Sequence, residues 1–215
     1  MSVLVGKQAP DFTAAAVMAD GSINESFSLS DYEGKYVVLF FYPLDFTFVC
    51  PSELIAFDHR IKEFEARGVQ VIGCSVDSQF SHVAWRNTPV NAGGIGAVAY
   101  PLVADLSKTI AADYDVLINN ATIEDEDGDE YHLLGGTVAL RGSFLIDKEG
   151  VVQHQVVNNL PLGRNIDEML RTIDALQFAE EHGEVCPAGW NKGDKGMVPS
   201  AEGVASYLAE EADKL

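Results

Sequence analysis

Cysteine is scarce in this 215-residue chain: there are three, at positions 50, 74 and 186, with no regular spacing and no Cys-x-x-Cys pair. An odd, scattered set is not a secreted disulfide framework, and the missing pair weighs against a dithiol reductase. Basic residues are scarce too. Fourteen Lys and Arg stand against 33 Asp and Glu, a formal net charge of −19. Nucleic acid and anionic membrane surfaces both require clustered cations, so neither is an expected partner. No apolar run approaches the ~20 residues that cross a bilayer. The segment Met1-Ser2-Val3-Leu4-Val5-Gly6-Lys7 lacks the basic stretch and long apolar core of a signal peptide. The five histidines show no metal-ligand spacing, so no metal is expected. The acidic stretch 124–130 is the only low-complexity feature, and it lacks the alternation and distal Glu of a calcium loop. It reads as a solvated surface loop. A cytoplasmic location is expected, where a cysteine is more often catalytic than structural.

Apolar residues make up 47% of the chain, enough for one domain of ordinary size with an appendage. Residues 36–42, Tyr-Val-Val-Leu-Phe-Phe-Tyr, form a continuous apolar run of strand length, as a central strand covered on both faces requires. After Cys50, the residues Leu54, Phe57, Ile61 and Phe64 recur at helical spacing, and Gly68 closes that helix. A second strand follows at 69–76, so a right-handed strand–helix–strand unit places a parallel pair in an α/β core. Helices are predicted at 79–87, 106–114 and 165–179. Strands flanking Lys148-Glu149-Gly150 read as a hairpin. From residue 180 the composition shifts to glycine- and proline-broken sequence with a short helix at 202–211. Such a segment forms no core alone and is expected to lie as an arm against something else. The chain therefore divides into 1–179 and 180–215.

The chemistry concentrates where the first strand ends. Pro43 stops it, and Cys50 appears where a helix is about to begin. Helix N-termini present unpaired N–H groups and a positive dipole end, which favour a thiolate over a thiol. The plain alternative is a buried small hydrophobe. Its neighbours favour function. Thr47, three residues earlier, can bring a hydroxyl to the sulfur; Pro43 shields the approach; Pro51 suits a first helical turn; Glu53 can orient a nearby arginine.

The pattern Pro43-x-x-x-Thr47-x-x-Cys50-Pro51-Ser52-Glu53 resembles the active-site signature of the peroxiredoxins. The segment His182-Gly183-Glu184-Val185-Cys186-Pro187-Ala188-Gly189-Trp190 is similar to the resolving-cysteine segment of their typical two-cysteine branch, the alkyl hydroperoxide reductase C and thioredoxin peroxidase family. The resemblance implies a thioredoxin-like α/β fold with a central mixed sheet flanked by helices and a C-terminal extension. It implies a peroxidase domain at 1–179 and an arm at 180–215 carrying Cys186. By the same resemblance Arg141, in Leu140-Arg141-Gly142-Ser143, is the active-site arginine, against the plain reading of a surface arginine at a strand start. Arg164 is a structural residue or an orienter of Glu53. Peroxide would oxidise Cys50 to a sulfenic acid, and Cys186 of another subunit would then form a disulfide with it. Thioredoxin or a flavoprotein disulfide reductase would restore both thiols. No cofactor is implied. Homodimers would assemble into a decameric ring.

Four features stand apart from that pattern. Cys74, mid-strand between Gly73 and Ser75, is expected to be structural. Trp85 fits either the core or the ground beneath the active-site loop. The family's oxidation-sensitive members carry a Gly-Gly-Leu-Gly loop and a C-terminal Tyr-Phe; here Gly93-Gly94-Ile95-Gly96 and Tyr207-Leu208 stand instead, which predicts intermediate sensitivity to overoxidation. The segment 119–136 is longer than the pattern requires just before Arg141. A holdase chaperone or peroxide sensor is the alternative from a different functional class. A Cys–His hydrolase has no supporting histidine segment.

Overall fold

The structure, a computed structural model, describes residues 2–119, 122–124, 130–132 and 136–214. The chain forms two compact units, Met1–Arg164 and Asn165–Leu215. The first opens with strands β1 (Thr13–Val17), β2 (Ile23–Ser28) and β3 (Tyr36–Phe41), then helices α1 (Cys50–His59) and α2 (Ile61–Ala66) and strand β4 (Val69–Ser75). Helix α3 (Gln79–Asn87), strand β5 (Leu102–Ala104) and helix α4 (Thr109–Asp113) come next. Short strands β6 (Leu117–Ile118), β7 (Thr122–Glu124), β8 (Glu130–His132) and β9 (Val138–Ala139) precede β10 (Arg141–Ile146) and β11 (Val152–Asn158).

Among the described residues, seven strands make one sheet in the order β11-β10-β3-β4-β5-β1-β2. The centre, β3-β4-β5, is parallel, and the strands on either side join antiparallel. The predicted strand–helix–strand unit is present, with Val38 opposite Val71 and Phe40 opposite Gly73. The predicted hairpin is β10–β11. Every residue of β3 is buried, as expected for a strand with both faces covered. Val37, Leu39 and Phe41 point into a cluster with Ile72, Val103 and Tyr114. On the opposite face Phe40 stacks on Phe57 of α1 at 4.2 Å between centroids. Cys74 lies in the first cluster, fully buried, and burial pushes its thiol well above the ordinary range. A thiol so placed stays protonated and inert.

Two predicted helices differ in extent. The stripe from Leu54 to Phe64 is split at Arg60, whose amide bonds the Phe57 carbonyl in a tighter turn. That turn takes Ile61 partly out of the core while Phe64 stays buried against Phe57. The helix predicted at 106–114 starts only at Thr109. Lys108 is left-handed, with φ 63°, and the Asp105 carboxylate accepts the amides of Ile110 and Ala111. Of the acidic stretch 124–130, residues 125–129 lie outside the described residues. Among the described residues, no helix is long and apolar enough to cross a membrane.

The second unit contains α5 (Ile166–His182) and α6 (Ala201–Glu211). Asn165 caps α5 by accepting the amides of Asp167 and Glu168, and Ser200 caps α6 by accepting that of Gly203. Between them the chain fastens back on α5. The Arg171 guanidinium donates to the Trp190 carbonyl at 2.7 Å, and the Trp190 ring lies 4.9 Å from that of Phe178. Tyr207 is buried and Leu208 exposed.

Gly73 sits where the sheet admits no side chain: a Cβ there would lie 2.9 Å from Leu102 Cδ2 and 3.0 Å from Phe40 Cζ. Gly73→Ala is expected to destabilise the protein by about 1–3 kcal/mol. Denaturant unfolding measures this, and an unchanged midpoint would show that the sheet yields freely.

Candidate active site

β3 ends at Phe41, and the chain passes through Tyr42 and buried Pro43 into a loop that delivers Cys50 as the first residue of α1. Pro51 follows in the first turn, where a missing N–H costs little. No side chain caps this helix; Pro51 carries no amide hydrogen, and the amides of Ser52 and Glu53 donate to the Val49 carbonyl. Cys50 is fully buried.

Two donors converge on its sulfur. Thr47 Oγ1 lies 2.9 Å from Cys50 Sγ, and Arg141 Nη1 donates to Sγ at 3.3 Å. Thr47 Oγ1 is also 2.8 Å from the Leu44 carbonyl. A hydroxyl has one proton, so it serves either the carbonyl or the sulfur. With a thiol, Sγ–H can donate to Oγ1 while Oγ1–H serves Leu44; with a thiolate, Oγ1–H turns to sulfur.

Arg141 stands at the start of β10, its Nε donating to the Leu160 carbonyl at 2.6 Å. The same Nη1 that meets Sγ donates to Glu53 Oε2 at 2.7 Å. Glu53 is one turn into α1, its side chain only 2% exposed. Its other partner is Arg164: Nε donates to Oε1 and Nη2 to Oε2, both at 2.9 Å, and the Arg164 amide donates to Oε1 at 3.0 Å. Arg164 Nη1 also donates to the carbonyls of Phe41 and Gly142, and its guanidinium lies 5.0 Å over the Phe40 ring. Burial pulls Arg164 below its ordinary pKa, and Glu53 pulls it back. Two buried cations and one buried carboxylate leave one positive charge unbalanced beside Sγ.

The structure thus brings Thr47 and Arg141 to the Cys50 sulfur, with Glu53 and Arg164 behind Arg141, while Pro43 is buried at the entry to the loop. Sequence reading missed the backbone acceptors: no residue identity marks the carbonyls of Leu44 and Leu160 as the groups that aim Thr47 and Arg141. Trp85 belongs to both of its expected places. It is fully buried, its ring 5.8 Å from that of Phe46 in the loop, and its Nε1 donates to the carbonyl of Gly93 in the Gly-Gly-Ile-Gly segment. Cys186 is in the second unit, partly buried, its Sγ donating to the Ala175 carbonyl at 3.3 Å.

A threonine- and arginine-held cysteine at a helix start, on a mixed sheet flanked by helices, defines a thiol-dependent peroxidase on a thioredoxin-like fold. The family model of the AhpC/TSA family matches residues 5–155, and that of the C-terminal domain of 1-Cys peroxiredoxin matches 175–210. Alkyl hydroperoxide reductase C of Helicobacter pylori strain J99 is 56% identical over 214 residues, covering 99% of this chain and 100% of the relative. Peroxiredoxin-2 of Mus musculus is 49% identical over 206 residues, 96% of each chain. The reduced 2-Cys peroxiredoxin of Plasmodium vivax superposes with a TM-score of 0.86 at 49% identity, covering 97% of this chain and 100% of that one. The chain belongs to the AhpC/TSA family of peroxiredoxins.

Removing the Glu53 charge leaves two buried guanidinium groups facing each other. Glu53→Gln is therefore expected to cost about 3–5 kcal/mol of stability and to slow the reaction of Cys50 with peroxide. Thermal unfolding and stopped-flow oxidation read the two effects; a variant as stable and as fast as wild type would refute the carboxylate's organising role.

Proposed function

We propose that Cys50 is the peroxidatic thiolate and Cys186 the resolving thiol of a two-cysteine cycle that reduces hydrogen peroxide and organic hydroperoxides. The observation that carries this is the convergence of Thr47 Oγ1 and Arg141 Nη1 on one buried sulfur at a helix start. Sγ attacks the near peroxide oxygen: an S–O bond forms as the O–O bond breaks, and the departing hydroxide or alkoxide takes a proton to leave as water or alcohol. Thr47 and Arg141 hold the developing negative charge, Pro43 shields the approach, and Glu53 with Arg164 fixes Arg141. Cys50 is left as a sulfenic acid.

A buried sulfur is closed to a second protein thiol. Disulfide formation therefore needs the loop and first turn of α1 to open. Cys186, on the arm of residues 180–215, then attacks Sγ; the S–S bond forms, the S–O bond breaks and water departs. We place Cys186 on a partner subunit, with dimers closing into a decameric ring. Thioredoxin or a flavoprotein disulfide reductase supplies the two electrons that restore both thiols, in the cytoplasm and with no bound cofactor.

One equivalent of hydrogen peroxide followed by non-reducing electrophoresis tests this on wild type, Cys50→Ser, Cys74→Ser and Cys186→Ser. A covalent dimer is expected in wild type and Cys74→Ser only. A wild type that stays monomeric while Cys50 oxidises would overturn the intersubunit step.

The resolving step carries its own pH signature. Burial raises the Cys186 thiol above its ordinary value, and Arg171 pulls it part of the way back. The thiolate attacks, so disulfide formation should accelerate with pH up to and beyond the ordinary thiol range near ~8.5. Arg171→Ala removes the restraining cation and should move that rise to higher pH without altering Cys50 oxidation. Coincident stopped-flow profiles for the two proteins would count against it.

A further inference from the structure

We propose that Asp45 and His82 are positioning residues: their buried pair holds the 43–49 loop closed, and so sets how often Cys50 is ready for peroxide and how readily it becomes reachable. This rests on the reading of Cys50 given above, although neither residue touches its sulfur.

The Asp45 carboxylate accepts three side-chain donors, Tyr42 Oη at 2.9 Å, Ser81 Oγ at 2.8 Å and His82 Nδ1 at 2.8 Å. The fully buried His82 ring spans from there to the Val103 carbonyl, 3.2 Å from Nε2. The imidazole thus bolts the loop to α3 and β5 together. The Asp45 amide is held as well, donating to Asp77 Oδ2 at 2.9 Å, a carboxylate that also takes the Ser75 hydroxyl. One loop residue is therefore fastened through its side chain to α3 and through its amide to the β4–α3 connection.

The next residue shows what the fastening resists. Phe46 is left-handed, with φ 54°, a conformation that costs a non-glycine residue free energy and persists only where surroundings enforce it. That reversal is what turns the chain so that Thr47 faces Cys50. The aromatic side chains beyond Asp45 supply little restraint: Phe46 is 54% and Phe48 76% exposed. Val49 makes no side-chain cap to α1. Between Pro43 and Cys50 the one buried polar anchor is Asp45. When it lets go, the left-handed turn relaxes and Thr47 leaves the sulfur.

The test uses the reduced full-length protein and the variants Asp45→Asn, Ser81→Ala, His82→Leu and His82→Asn. The first readout is amide hydrogen exchange of the 43–52 segment, with β4 as internal reference. The second is the stopped-flow rate of Cys50 oxidation by hydrogen peroxide. Asp45→Asn and His82→Leu are expected to speed exchange of 43–52 roughly tenfold, the scale of one lost charge-assisted bond, with β4 unmoved and Cys50 oxidation several-fold slower. His82→Asn keeps a donor at the Nδ1 position and should recover most of the wild-type behaviour. Ser81→Ala, a partly exposed site that tolerates truncation, should show the same pair of changes in smaller degree. It decides the matter where a buried variant fails to fold. Wild-type exchange at 43–52 in Ser81→Ala and Asp45→Asn, or acceleration spread equally over β4, would overturn the proposal. If wild type itself is not oxidised at Cys50, the peroxidatic reading fails, while the exchange result still judges the brace.

Discussion

The Glu53 carboxylate is the constraint on which the site is built. It accepts four donors from two arginines, and each arginine is tied in turn to backbone carbonyls of different segments: Leu160 for Arg141, Phe41 and Gly142 for Arg164. Without the carboxylate, two guanidinium groups would be buried against each other at a desolvation cost of several kcal/mol per ion. With it, the cluster keeps one net positive charge, placed where Arg141 Nη1 meets Sγ. The same nitrogen serves Glu53 and Cys50, so the geometry that stabilises the protein also aims the cation. Stability and reactivity are here consequences of one buried arrangement.

That arrangement also divides α1. From Glu53 onward the helix is fixed, by the arginines on one side and by Leu54 and Phe57 packed on the sheet on the other. Ahead of Glu53 lie an uncapped N-terminus, two exposed phenylalanines and a left-handed residue. Local opening is drawn from the parts of a fold with few buried contacts, and in this molecule they lie just N-terminal to Glu53. A chemistry that needs Cys50 closed for one step and accessible for the next can move the loop and first turn while the charged cluster stays assembled.

How much of this was readable beforehand follows from which interactions leave a mark in residue identity. The central strand, the parallel pair and the placement of Cys50 at a helix start are written in apolar runs and in proline placement, and the structure has them there. Arg141 and Arg164 came only through resemblance, because nothing local to either residue says that a strand start and a loop end meet 88 and 111 residues away at Glu53. The β1–β2 hairpin went unread. Its first strand, Thr13-Ala14-Ala15-Ala16-Val17, has helix-forming composition, and only the Asp20-Gly21 turn, where Asp20 accepts from Ser22, signals a reversal. Asp45 and His82 were invisible for a related reason. A lone histidine on a helix and an aspartate in a loop look like surface residues until the sheet buries both, and long-range polar pairing has no period to betray it.

The three thiols show what environment adds to a shared side chain. Cys74 and Cys50 are equally buried, yet burial works in opposite settings. Around Cys74 it is apolar, and with Asp105 as the nearby charge it holds the proton on sulfur. Around Cys50 the neighbours are the part-buried Thr47 hydroxyl and the buried Arg141 guanidinium, both with donors to offer, and exclusion of water strengthens such hydrogen bonds. Cys186 is a third case, partly exposed, bonded to a helix carbonyl and near Arg171, a cation that eases its ionisation. A nucleophile for a small neutral oxidant must be ready before the substrate arrives. In the two-cysteine cycle proposed above, the Cys186 thiol need only become reactive once its target is exposed, and its milder setting suffices for that.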